Sequence, residues 1–269
     1  MKKVLLTIVI ILLLIAFGVS AFMVVNYVLE GNEQKEKYNN LSQIVEDARR
    51  AAAENTQPSG ETSPGETTGS TEETEPQMLP GYAELYEMNP DVVGWIKIEG
   101  TEIDYPVMQT PDNKDYYLRR NFFGEYIELG PGCIYAREEC DINEPSDNIT
   151  IYGHNMHNGT MFHDLNLYIE KEAWDNNSLI FFDTLTEYHT YKIFAVFKTT
   201  ASIDDGFRYH HFVDADDEQE FNTFVNTCKE LAFYDTGVTP VYGDKLICLS
   251  TCEYTQTNGR LVVAAVRIS

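Results

Sequence analysis

After Lys2 and Lys3 the chain runs from Val4 to Val25 without a charge, interrupted only by Thr7, Gly18 and Ser20. As a helix, 22 residues rise about 33 Å, enough for the hydrocarbon core of a bilayer. This feature divides the chain into a segment suited to lipid and a remainder that has to fold in water. A cleaved signal peptide competes with this reading, because Val19-Ser20-Ala21 resembles a small-residue cleavage site. Signal peptides, however, have apolar regions of about 7–15 residues, and this run continues past the site. An uncleaved anchor is favoured. The two leading lysines, with an acidic stretch after the span, place the amino terminus in the cytoplasm and everything after Glu30 outside.

Three segments follow from composition. Residues 1–29 form the stub and anchor and carry +2, residues 30–77 carry −7, and residues 78–269 carry −19. Within the middle segment, Leu41, Ile44, Val45 and Ala48 recur at helical spacing. That stripe suits a partner helix or, as the favoured reading, a short juxtamembrane helix continuing out of the membrane. Residues 55–77 are Thr, Glu, Gly, Ser and Pro almost throughout, a composition that buries too little to offset ordering entropy and that reads as a linker. A domain at −19 lacks the basic face that binds nucleic acid, which excludes that partner. Five cysteines are too few for a cystine scaffold, and the odd number leaves at least one thiol unpaired.

The 192 residues from Met78 onward suffice for one core. A short helix is predicted at 80–89. Apolar or alternating runs predict strands at 92–98, 101–108, 131–136, 147–152, 178–182, 189–199, 245–252 and 260–268. An acidic first turn leading into Phe221, Phe224, Val225, Cys228 and Leu231 predicts a helix over 214–232. Eight short strands with few helices indicate a closed β-barrel or a sandwich.

The last two strands, KLICLSTC and RLVVAAVRI, flank a polar loop and should form an antiparallel hairpin that sets Cys252 opposite Arg260. Most free cysteines are small buried hydrophobes. Cys252 instead sits at a strand end beside a polar loop, about 13 Å from Cys248 on the same face, so the two cannot form a disulfide. A thiol nucleophile needs a proton acceptor and a stabiliser for the developing oxyanion. Arg260 offers a permanent charge with a directional fork of donors. His154, in DNITIYGHNM, ends a strand at a glycine turn. His189, His210 and His211 suit structural roles. His154, His157 and His163 are spaced across an Asn-Gly turn with no convergent carboxylate, so no metal site is expected.

The motifs YGHNM at 152–156, NGTMF at 158–162, LSTC at 249–252 and GR at 259–260 resemble the class B sortases. So does NPDVVGWIKIEGTEIDYPVMQ at 89–109, followed by DNKDYYL. The likeness covers about Tyr82 to Ser269. It implies a mainly β fold: an eight-stranded sortase-type barrel with an N-terminal helix and a long helix before the cysteine strand. It also implies a cysteine transpeptidase without a cofactor. In that family, Cys252 would attack a carbonyl in a C-terminal sorting signal and His154 would carry the proton. Arg260 would stabilise the oxyanion or hold the substrate. An amine of a peptidoglycan precursor would resolve the thioester and fix a surface protein to the wall. By the same analogy Ser250 is a candidate substrate contact and Thr251 shapes the pocket.

Two departures stand out. The family signature usually reads Thr-Leu-x-Thr-Cys, and Cys248 here replaces the first threonine. Glu253 occupies the position beside the cysteine, where acidic residues of the family follow a little later, and it is given no catalytic role. Two other readings remain: a thiol hydrolase using water in place of the amine, and a tethered non-catalytic module that binds a wall component. The overall acidity further suggests a sorting motif that contains lysine.

Overall fold

The computed structural model describes residues 2–55, 77–128, 130–202 and 206–269. Most of the linker read at 55–77 therefore lies outside the described residues. Eight strands close into one barrel: β1 (Val92–Lys97), β2 (Asp104–Met108), β3 (Ile134–Ala136), β4 (Asn148–Tyr152), β5 (Leu179–Thr184), β6 (Thr190–Thr200), β7 (Leu246–Glu253) and β8 (Gly259–Arg267). Around the barrel the order is β1-β2-β3-β4-β7-β8-β6-β5. The β2/β3 and β4/β7 pairs are parallel and the others antiparallel. Of the barrel and the sandwich, the chain adopts the barrel, and every strand falls within a few residues of its apolar run.

Side-chain alternation on β7 and β8 builds two cores. Ile247, Leu249, Leu261, Val263 and Ala265 point into the barrel. Leu246, Cys248, Val262, Ala264 and Val266 point outward and are covered by a second cluster. Its lid is α3 (Glu218–Leu231), which buries Phe221, Phe224, Val225 and Cys228. The helix begins later than its acidic run, because the Asp217 carboxylate accepts from the Glu220 N–H and caps it there. Leu231 is not part of the buried stripe; it is 41% exposed at the last turn. Because both faces of β7 and β8 are covered, these strands read as continuous apolar runs.

The helix α1 runs unbroken over Lys2–Asn55. Residues 2–26 are exposed throughout, and the helix is long and apolar enough to cross a bilayer. From Tyr27 onward one face is covered, with Gly31, Gln34, Tyr38, Leu41 and Val45 following at steps of three and four. The partner of this face is the chain's own barrel. Tyr38, Leu41 and Val45 belong to the main core cluster, and Tyr38 donates to the Gly132 carbonyl at 3.1 Å. Ser42 donates to Asp104 at 2.8 Å, and Lys35 pairs with Glu102 at 2.7 Å. At the far end Arg49 pairs with Asp183, a carboxylate that also accepts from Tyr82 Oη at 2.8 Å. That Tyr82 belongs to α2 (Tyr82–Met88), the short helix expected at 80–89.

Candidate active site

Cys252 and Arg260 lie on the adjacent strands β7 and β8, and His154 lies two residues past the end of β4, the neighbour of β7 on its other side. Cys252 and Arg260 are direct partners across the antiparallel β7/β8 pair, so their Cα atoms lie about 4.5–5.5 Å apart. On the other side of β7, the parallel β4/β7 register ends at Tyr152 opposite Ser250, and the Gly153 N–H donates to the Ser250 carbonyl at 3.1 Å. Continuing that register two residues sets His154 level with Cys252. The thiol therefore lies between the imidazole strand and the guanidinium strand.

Short hydrogen bonds hold this geometry. Thr251 Oγ1 donates to the Gly153 carbonyl at 2.8 Å, locking the peptide in front of His154 to the peptide in front of Cys252. Asn155 Nδ2 donates to the Cys252 carbonyl at 3.0 Å, and Asn155 Oδ1 lies 2.9 Å from His163 Nδ1. His154 Nε2 lies 2.8 Å from the Leu118 carbonyl oxygen, which can only accept, so this nitrogen carries the proton and Nδ1 is left to exchange one. Arg260 donates from Nη1 to the Gly259 carbonyl at 2.9 Å, which sets the plane of the guanidinium. Two glycines permit the close approach. A Cβ on Gly153 would stand 2.6 Å from the Phe162 ring, and one on Gly259 would stand 2.4 Å from the Glu253 carbonyl.

Cys252 differs from the other four cysteines. All five are free, and Cys252 is half-buried while the rest are buried. Burial pushes the Cys133 thiol up to about 12 and Cys140 to about 11, and drives Cys228 and Cys248 upward as well. Cys248 sits in the outer core under α3, so its substitution for threonine is a packing change. Glu253, one residue past the thiol, points to the opposite face, where it is buried against Lys198 (3.0 Å) and Thr255 (2.7 Å). Its geometry assigns it to the base of the β7–β8 loop.

Ser250 and Thr251 are 1% and 2% exposed. The Ser250 hydroxyl shares a 2.5 Å hydrogen bond with Tyr209 Oη, so the structure sets it behind the thiol on the same strand face. Beside Arg260 opens a groove of about 220 Å³ lined by Tyr152, Tyr209, His210, Leu118 and Arg137, among others. Burial, with Arg137 and His211 beside it, lowers His210 to about 4, so it stays neutral at ordinary pH. His189 is buried next to β6, and burial likewise lowers it. Among the described residues no group of three or more His, Cys, Asp or Glu side chains is placed to hold a metal ion. Sequence reasoning missed Asn155 and Leu118. Asn155 carried a signal, since it lies inside the YGHNM motif, whereas Leu118 acts through its carbonyl and left none.

A partly exposed thiol flanked by an imidazole strand and a guanidinium strand, on a closed eight-stranded barrel, defines a cysteine acyl-transfer enzyme. The Sortase domain model matches residues 96–268. Sortase B of Staphylococcus aureus is 28% identical over 97% of this chain and 95% of its own length. Sortase B of Listeria monocytogenes is 35% identical over 67% of this chain and 71% of its own. The solved structure of the S. aureus sortase B–substrate complex superposes with a TM-score of 0.74 at 25% identity, covering 90% of this chain and 99% of that one. The chain belongs to the sortase family, class B, and is a sortase-type cysteine transpeptidase of cell-wall protein anchoring.

Proposed function

We propose that this transpeptidase is held at the outer membrane surface by α1 and joins sorting-signal-bearing surface proteins to an amine of a peptidoglycan precursor. The pairing of Cys252 with Arg260 across β7/β8, with His154 just past the end of β4 on the other side of β7, carries the reading. Cys252 Sγ attacks the scissile carbonyl as its proton passes to His154 Nδ1. The Arg260 guanidinium then faces the oxyanion as the tetrahedral intermediate forms. His154 returns the proton to the departing amine, the C–N bond breaks, and a thioester joins Cys252 to the upstream product. The incoming amine gives its proton to His154, attacks the thioester and expels the thiolate, which is reprotonated. Atoms balance over the cycle, and no cofactor takes part. Thr251 ties the histidine and cysteine strands together, and Ser250 acts on the groove wall through Tyr209.

The reading is tested with the full chain, a sorting-signal peptide and a peptidoglycan-type amine. Amine-dependent ligation supports it, and hydrolysis that added amine does not suppress favours a thiol hydrolase. No thioester by mass spectrometry, with Cys252→Ala indistinguishable from wild type, overturns both.

A further inference from the structure

The covered face of α1 begins at Tyr27, two residues beyond Val25, the end of the uncharged run. At 1.5 Å per residue, Tyr27 stands about 3 Å and Gly31 about 9 Å past that end. The headgroup layer on each side of the hydrocarbon core is about 5–7 Å deep. The part of the barrel that touches this stretch is therefore held at the outer edge of the lipid headgroup layer, within a few ångströms of it.

That part is the active-site rim. A Cβ on Gly31 would stand 3.2 Å from Asn158 Nδ2, in the turn that follows His154. Tyr254, two residues after Cys252, donates from Oη to the Asn155 carbonyl at 3.0 Å and stacks on His157 with ring centroids 6.0 Å apart. Tyr254 is 65% exposed and His157 is exposed beside it. The opposite end of the barrel agrees. Arg49, about 36 Å beyond Val25 along the helix, reaches Asp183 and lies over the Tyr188 ring at 5.5 Å. Tyr188 shares a surface depression with Lys245 and Arg267, at the start of β7 and the end of β8. Thus β7 runs from the Arg49 end of the helix towards the Tyr27 end and delivers Cys252 to the membrane side.

We propose that α1 is a rigid strut that holds the Cys252 mouth against the lipid headgroups, with Tyr254 and the His157–Asn158 turn in contact with the bilayer interface. The partner is the bilayer itself. An amphipathic aromatic ring at a mouth of this kind suits the interfacial zone, where tyrosine collects. Electrostatics would not place it there, because the domain carries −19 and an anionic surface repels it; covalent continuity with α1 supplies the attachment. This rests on the membrane-anchored reading above and adds orientation to it.

The full chain is reconstituted into phosphatidylglycerol/phosphatidylethanolamine vesicles, with and without headgroup-level spin-labelled lipid as fluorescence quencher. Tyr254→Trp provides the reporter, and Tyr242→Trp, beside Gly243 before β7, provides the distal control, each measured against wild-type background. The strut predicts that the Tyr254→Trp signal falls about twofold or more while the Tyr242→Trp signal is unchanged. Equal quenching of both, or none of Tyr254→Trp, overturns it. A second arm undocks the helix with Val45→Asp or, if that chain does not fold, Arg49→Ala. Loss of the Tyr254→Trp quenching supports the strut, and unchanged quenching in the undocked chain contradicts it. Peptide ligation in detergent, measured in parallel, reports on the transpeptidase reading alone, so failure of either is seen separately.

Discussion

At the scale of single residues, the site is a matter of which side chains are reachable and which are tied. Burial holds Cys133, Cys140, Cys228 and Cys248 in the protonated thiol form, so iodoacetamide at neutral pH should modify one thiol per chain. Peptide mapping should find it at Cys252, and Cys252→Ala should take up no label. Arg260→Lys keeps the charge and loses the planar fork, so kcat/KM should fall about 100-fold or more in a peptide-transfer assay. Asn155→Ala should lower kcat about tenfold with little change in KM, because it frees the histidine turn from the Cys252 carbonyl and leaves the groove intact. Glu253 brings a pH dependence. Burial pushes its carboxyl up, but Thr255 and Lys198 outweigh this and hold it below the ordinary glutamate value. The stabilisation is therefore present above the unfolded value and is lost as pH falls through the lowered folded value. Thermal melting between about pH 6 and pH 3 should show that loss, and Glu253→Gln should flatten it.

At the scale of elements, the hairpin was legible from sequence and the helix contact was not. KLICLSTC and RLVVAAVRI declare two strands and a polar loop, and the observed pairing of Cys252 with Arg260 follows from their lengths. The stripe at Leu41, Ile44, Val45 and Ala48 declares a helix with one face to bury, but what covers that face lies about 60–90 residues away in sequence, on the barrel. Tyr38, Leu41 and Val45 are each worth about 1.5–3 kcal/mol buried, and the Asp183 carboxylate loses its cation if Arg49 leaves. A chain beginning at Met78 should therefore melt about 10 °C or more below one beginning at Gly31, measured by calorimetry. Equal melting temperatures would mean that the helix adds nothing to the core.

At the scale of the whole molecule, net charge proves a poorer guide than its placement. The −19 on residues 78–269 suggested a lysine-bearing sorting motif, yet the groove beside Arg260 is also lined by Lys114 and Arg137. The two acids there are engaged, Asp115 accepting from Tyr135 Oη at 2.9 Å and Glu138 pairing with Lys114 at 3.3 Å. Turnover of a lysine-bearing peptide should accordingly change little with added salt, and a steep fall would restore the bulk-charge argument. Periodicity and turn residues, which act within a few positions, determined the eight strands, the long helix over Glu218–Leu231 and the apolar span. The motifs singled out His154, Cys252 and Arg260 as the candidate site. Tertiary structure alone decided that Leu118 offers its carbonyl to His154, that Ser250 turns to Tyr209, and that α1 lies along the barrel with Gly31 close to Asn158 in the turn after His154. Those are contacts between distant segments, and their partners are chosen by barrel closure rather than by any local pattern.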